Sequence, residues 1–350
     1  MFHGSYLEND VNFLLKKIEL EFTDVSEKER EIQSGKKHYS EMISRENLPT
    51  EKYLEIFHES MNRNLENFAQ DILNLAFLLP KDVAIVSLAR GGTPIGVIAK
   101  RIILERFGVD LQHYSISIIR DRGVDWNALK FILERHKKVI FLDGWTGKGV
   151  IGRELKKSIS EFNSKFKKNL STDLYVLADI SGTADFSVTN RDYLIPSSAL
   201  NSTISGLISR TVLNDLIGKN DFHGCLFYSE FKDNDYSLDF AEKVVKKSQK
   251  LEPNLKKFIE PKSEFRENKK KRIDELMKKY DVSNYNFLKP GVAETTRVLL
   301  RRVPKKILLQ NLENWDTKHL IQLSNEKNIP VDEVADLPFS AIGIVKNIVK

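Results

Sequence analysis

The sequence predicts an α/β protein built on an open, mainly parallel sheet, with a second, smaller α/β domain at its C-terminal end. Three observations carry this. After Pro80, short apolar runs alternate with glycine-bearing turns and amphipathic stretches, the pattern of parallel strands joined by right-handed crossovers. Before Pro80 the periodicity is helical: Leu54, Phe57, Met61, Leu65, Phe68, Ile72 and Leu75 recur every three or four positions. Near residue 246 the chain turns polar and lysine-rich, with Pro253 and Pro261, before a further compact stretch begins at Tyr280.

In chain order, residues 1–80 read as a mostly helical extension packed on the core as a hood. Residues 81–245 are the main α/β domain. Its strands are expected over 83–89, 114–119, 138–143 and 174–179, with helices over 93–107 and 149–162. Residues 246–279 read as a basic linker with an exposed helix. Residues 280–350 form the smaller domain, with helices over 293–302 and 317–327 and strands over 306–310 and 330–334. In open sheets of this kind ligands lie beyond the carboxyl ends of the strands, so the turns after Leu88, Leu142 and Ala178 share the edge where chemistry is expected.

Composition narrows the function classes. The 350 residues suffice for two domains of roughly 100–200 residues each. With 41% hydrophobic and 30% charged residues, a core is available and wholesale disorder is excluded. No run reaches the ~18–20 apolar residues of a membrane helix, and the N-terminal stretch lacks the basic-then-apolar pattern of a signal peptide. A single cysteine, Cys225, permits neither an internal disulfide nor a cysteine-based metal site. A cytoplasmic protein is expected. The net charge of +6 is unevenly placed: residues 262–350 hold 18 Lys+Arg against 12 Asp+Glu, and residues 1–261 hold 37 of each. A basic C-terminal part is suited to an anionic polymer.

Two turns carry the residue types a phosphate needs. Ala89-Arg90-Gly91-Gly92 joins a strand to a helix, and its backbone N–H groups can converge on one anion; a tight turn needing glycine for packing is the other reading. Asp143-Gly144-Trp145-Thr146-Gly147-Lys148-Gly149 ends a strand at a helix mouth, supplying N–H donors, a hydroxyl and a cation. Asp143 is suited to a sugar diol or Mg²⁺. This is not a Walker loop, because Gly149 follows Lys148 where Ser or Thr would stand. Between the turns lies Arg120-Asp-Arg122-Gly-Val-Asp125, whose arginines can neutralise a leaving anion. Asn201, Ser202, Thr203, Ser205 and Ser209, followed by Arg210, make an unusually polar run on an expected helix. His38-Tyr-Ser-Glu41 and the stretch Asn190 to Arg210 are the candidates for a hood over the site. Cys225, in the apolar run Phe222-His-Gly-Cys-Leu-Phe-Tyr228, reads as a small buried hydrophobe rather than a thiolate nucleophile.

These segments together, with IQSGKKHYSEM, HYSISIIRDRGVD, LADISG and YLIPSSALNSTISGLISRTV, resemble the type I phosphoribosyltransferase-like family encoded near tellurium-resistance and stress genes and often labelled a cysteine protease. The resemblance covers roughly residues 3–245. It implies that Ala89, Arg90, Gly91 and Gly92 hold the pyrophosphate of phosphoribosyl diphosphate. Gly144 to Gly149 would surround its 5′-phosphate, Asp143 would contact the ribose, and Arg120 and Arg122 would act from a flap. Type I enzymes carry two consecutive acidic residues where this chain has Asp143 alone. Gly291-Val-Ala-Glu294-Thr-Thr296-Arg297 resembles the turn of the Pelota and large-ribosomal-protein RNA-binding fold, with Ala293 where that fold has Asn. It implies RNA contacts through Gly291, Glu294, Thr296, Arg297, Arg301 and Arg302.

Together the resemblances imply a transferase. It would bind phosphoribosyl diphosphate with Mg²⁺ and transfer or remove a phosphoribosyl group on a base, nucleoside or RNA-linked substrate in a stress response. No membrane partner is expected, and a homodimer stays open. The alternatives are a non-catalytic nucleotide sensor with the same loops, and a cysteine protease using Cys225.

Overall fold

A computed structural model describes residues 1–255 and 262–349. In chain order its main elements are β1 (Asn12–Phe13), β2 (Lys16–Lys17), α1 (Val25–Gln33), α2 (Glu51–Leu78), β3 (Ala84–Ala89), α3 (Gly92–Phe107), β4 (His113–Ile119), β5 (Gly123–Val124), α4 (Trp126–Leu133), β6 (Val139–Trp145), α5 (Val150–Phe166), β7 (Leu174–Ala178), β8 (Phe186–Thr189), α6 (Pro196–Ala199), β9 (Gly224–Cys225), α7 (Ser237–Ser248), α8 (Lys262–Lys279), β10 (Leu288–Pro290), α9 (Val292–Arg301), β11 (Pro304–Leu309), α10 (Lys318–Glu326), β12 (Val331–Glu333) and β13 (Ala341–Val345).

The main sheet runs β1-β4-β3-β6-β7-β8, parallel throughout, with β5 antiparallel beside β4. Its strands are apolar on both faces because helices cover both. Ile85, Ile140, Leu142 and Leu177 pack with α2, α3 and α7. Ala84, Val86, Leu88, Phe141 and Val176 pack with α4 and α5. Strand order reverses between β3 and β6, the place where an open sheet leaves a crevice at its carboxyl edge. Both glycine-rich turns leave the sheet there.

Residues 280–349 contain a mixed sheet of order β10-β13-β11-β12, with α9 and α10 against it. This is not a bead on a string. Val292, Leu299, Leu320 and Ile342 belong to the same apolar cluster as Phe57, Ile72 and Leu177, so one continuous core joins the two parts.

Several expectations are corrected. Residues 1–50 are mostly not helical: α1 is the one α-helix there, and Asn12–Phe13 adds an edge strand to the main sheet. Two-residue strands are too short for periodicity to reveal. The polar run 201–210 is not a helix. Its only helical turn is Ser202–Ile204, and Gly206 (φ 82°) and Leu207 (φ 59°) leave the right-handed region. Strands β10 and β13 were not anticipated, yet β13 is a central strand of its sheet; its run Ala341–Val345 carries Gly343, which thins the strand signal. Part of the linker reading, residues 256–261, lies outside the described residues, as does Lys350. Helix α8 is exposed along most of its length but buries Ile273 and Leu276.

Candidate functional site

The two turns are built against each other. A Cβ on Gly92 would lie 2.4 Å from the Leu142 carbonyl oxygen, and one on Gly144 would lie 3.1 Å from the Gly91 oxygen. Glycine at these positions serves the close approach of β3 and β6 ends, so part of the glycine signal is structural. Gly149 (φ 69°) begins α5 in the left-handed region.

Beyond these turns opens a cavity of about 500 Å³. Its floor is Asp143 and the segment 145–152; its walls are Lys28 and Gln33 of α1, Tyr39, residues 43–46, Arg120, Asn201 and Arg210. Its roof is the C-terminal part: Asn284, Asn286, Lys289, Glu294, Arg297, Arg301 and Arg302. Nine Lys and Arg side chains face three carboxylates, Glu46, Asp143 and Glu294.

The roof is joined to the floor by polar contacts. The Trp145 indole N–H donates to Glu294 Oε1 at 3.4 Å, Arg297 stacks over the same indole at 4.7 Å, and Arg297 Nη1 donates to Glu294 Oε1 at 2.6 Å. Arg301 Nε donates to Asn201 Oδ1 at 2.6 Å, and Arg302 forks onto Glu29 of α1 at 2.5 and 2.6 Å. Lys148 donates to the Tyr285 carbonyl and lies 3.9 Å over its ring.

Enclosure shifts the titrations. Burial raises the Asp143 carboxyl to about 6, although its Oδ1 accepts the Gly144 N–H at 2.8 Å. Burial lowers Lys148 to about 7 and Lys289 to about 8, with other cations adding to the fall. Burial opposes ionisation of Glu46 and Glu294 too, but Arg90 and Arg301 at the first, and Arg297 and Lys289 at the second, hold both below the usual carboxylate range.

Several residues expected at the site are occupied elsewhere. Arg90 pairs with Glu46 at 2.7 Å and donates to the Ile208 carbonyl at 2.7 Å. The Thr146 hydroxyl donates to Asp179 at 2.7 Å. Arg122 pairs with Glu41 at 2.9 Å, outside the cavity wall. Thr296 is a helix-internal hydroxyl bonded to the Val292 carbonyl and His319 Nε2. Gly291 (φ 96°) fits where a Cβ would strike Ile180. Arg120, Asp143, Trp145, Gly147, Lys148, Gly149, Glu294, Arg297, Arg301 and Arg302 do line the cavity, as does Thr146. The sequence reading missed Lys28, Glu46 and Lys289, isolated charges in ordinary surroundings that only the fold brings together. Arg210 and Asn201 stood out in the polar run.

Cys225 lies in β9, fully buried, and burial pushes its thiol up to about 12. Its neighbour His223 is turned to Ser117, with Nδ1 2.8 Å from the hydroxyl, and its backbone N–H donates to Asp125 at 2.6 Å.

The molecule is thus an α/β protein with an open, mainly parallel sheet whose strand-end cleft is roofed by a smaller C-terminal domain. The family described as tellurite-like stress resistance cysteine protease StiP matches residues 4–245, and the PELOTA RNA binding domain matches residues 267–347. The cysteine protease StiP of Acinetobacter baylyi is 39% identical over 368 residues, covering 100% of this chain and 95% of that protein. The chain belongs to the StiP family and carries a Pelota RNA-binding domain.

This family membership corrects the expected activity. Family and relative are both described as a cysteine protease, a hydrolase, so the reading of a glycosyltransferase acting on phosphoribosyl groups is withdrawn, as is the sensor derived from it. The stress-resistance context and the RNA-binding domain stand. Among the described residues no helix is long and apolar enough to cross a membrane.

Proposed function

We propose that this StiP-family protein binds RNA in the cleft between its two parts, taking one nucleotide or chain end between the β6 turn and α9. The observation that carries this is the nine-to-three excess of cations in one cavity, shared between the sheet edge and the domain matched as RNA-binding. Phosphates are what such a wall attracts: Arg supplies planar paired donors and Lys a compact charge. A cavity of about 500 Å³ has the scale of a small-ligand site, so the bulk of an RNA would lie outside.

A type I phosphoribosyltransferase-like fold for the N-terminal part is proposed as a matter of architecture only. It is supported by the strand order and by two ligand-type turns at the switch point. A Mg²⁺ ion would have Asp143 as its protein carboxylate and would arrive with ligand phosphates; among the described residues no group of three or more metal-binding side chains converges.

The relative's name favours a second reading, peptide hydrolysis. It would rest on Cys225, the only cysteine, which needs exposure, a lowered thiol pKa and a nearby base. In this structure it has neither exposure nor a lowered pKa.

The proposal is tested by titrating a labelled single-stranded RNA with wild-type protein at several salt concentrations. Binding whose logarithm falls linearly with log salt supports it; no binding at low salt sinks it.

A further inference from the structure

Part of the cation excess gathers where α1, the polar run and α9 meet in the cavity wall, beside Asn201, which accepts from both Arg301 and Arg90 of the first glycine turn. Lys28 on α1, Arg210 after the polar run, and Arg301 on α9 converge there, close enough that both arginines and Arg302 depress the ammonium of Lys28. Arg302 is matched by Glu29. Among the described residues the other three make no ion pair: Arg301 is satisfied by the Asn201 amide oxygen, Arg210 donates to the Met42 carbonyl, and the carboxylates near them, Glu29, Glu46 and Glu294, are already paired with Arg302, Arg90 and Arg297. The hydroxyl of Ser44, also in the wall, is buried with no hydrogen-bond partner.

Gathering like charges behind partly closed walls costs folding free energy unless counter-charge arrives. Burial, with the neighbouring arginines, lowers Lys28 to about 7. Lys289, a short way along the roof, also feels Arg302. One phosphate monoester carries up to two negative charges, which leaves three cations and Lys289 under-neutralised. Two or three linked phosphates match their number. Three strands of chain supply the cluster, so the anion would be held jointly by the N-terminal extension, the polar run and the C-terminal domain, drawing them together.

We infer that the Lys28–Arg210–Arg301 cluster selects an anion with two or more linked phosphates, either the 5′-oligophosphate end of an RNA or a free inorganic oligophosphate. The RNA form of this inference rests on the reading of the cleft as an RNA site.

Fluorescence anisotropy separates the sources. One RNA sequence is compared with a 5′-triphosphate, a 5′-monophosphate and a 5′-hydroxyl, and inorganic triphosphate is tested alone by thermal shift. The expected result is tightest binding of the triphosphate RNA, by about tenfold over the hydroxyl form, and a larger Tm rise with inorganic triphosphate than with inorganic phosphate at matched ionic strength. Lys28→Met removes one charge while keeping the aliphatic bulk. It should leave the unliganded Tm unchanged or higher and shrink both differences, whereas Lys148→Ala should weaken all three RNAs together. Equal affinity for the three RNA ends with no triphosphate shift overturns the inference and leaves the RNA reading intact. A triphosphate shift without RNA binding overturns the RNA reading and upholds the oligophosphate site. The thermal shift needs only the wild-type protein, so it reads the oligophosphate site even where a variant fails to fold.

Discussion

The Arg297 guanidinium lies 4.7 Å from the Trp145 ring centre and pairs with Glu294 at 2.6 Å. One aromatic from the strand-end turn and one ion pair from α9 thereby form a single contact between the two parts. Glu294 also accepts the indole N–H. Glu294→Gln should leave Arg297 unpaired in a partly closed site and lower stability by about 1–3 kcal/mol, read as a shift in the urea midpoint at unchanged slope. Trp145→Phe, which removes the donor and part of a buried ring, should also lower stability.

Gly92→Ala tests whether the first glycine turn serves packing. Its Cβ would sit 2.4 Å from the Leu142 oxygen and 3.0 Å from the Asp143 Cα, backbone atoms that cannot step aside without separating β3 from β6. A loss of about 1–3 kcal/mol is expected, checked by thermal or urea unfolding. Gly91→Ala meets side-chain atoms of Asp143 and Arg297 at 3.2 and 3.3 Å, not backbone, and should cost less.

The pH dependence has opposite signs for the two kinds of group. The folded-state pKa of Asp143 is raised from 3.8 to about 6. Between these values the folded chain holds more protons than the unfolded one, so stability falls as pH rises from about 4 to 6. Lys28 and Lys148 are lowered from 10.5 to about 7. Above pH 7 the unfolded chain holds more protons, and stability rises with pH until about 10. Asp143→Asn should therefore match wild type near pH 4 and exceed it at pH 7, and Lys148→Met should flatten the alkaline rise, both read from urea midpoints across pH. RNA binding should weaken from pH 6 to 9 as the cleft lysines lose their charge.

Cys225 should be silent to a thiol reagent in the native protein and react only on unfolding, because it is fully buried with its thiol pushed up to about 12. Fast native labelling, together with loss of peptide cleavage in a folded Cys225→Ala variant, would establish the peptidase reading instead.

The parallel sheet was legible because each buried strand is a continuous apolar run ending in a glycine turn, as in residues 84–89 and 139–145. Helix α2 was legible because seven apolar residues keep helical spacing over its 28-residue length. What could not be read depends on distant partners. Asn12–Phe13 is a strand only because Tyr114 and Ser115 lie beside it. Residues 201–210 carry helix-compatible side chains, yet they bend at Gly206 to meet Tyr6 and Phe13. At the site, Lys148 and Asp143 stood out by their turn, whereas Lys28 and Lys289, 261 positions apart, line one cavity only in the folded chain. Arg90 was legible as a cation but not as one already matched by Glu46.

RNA is expected to engage the cleft rather than helix α8. Lysine acetylation with and without a single-stranded RNA, read residue by residue by mass spectrometry near pH 7.5, tests it most directly. Lys148 and Lys289, which line the cavity, should be modified in the free protein and protected by RNA. Lys270, Lys271 and Lys278 on α8 should react equally in both. Protection of the α8 lysines with Lys148 and Lys289 unchanged would contradict the account.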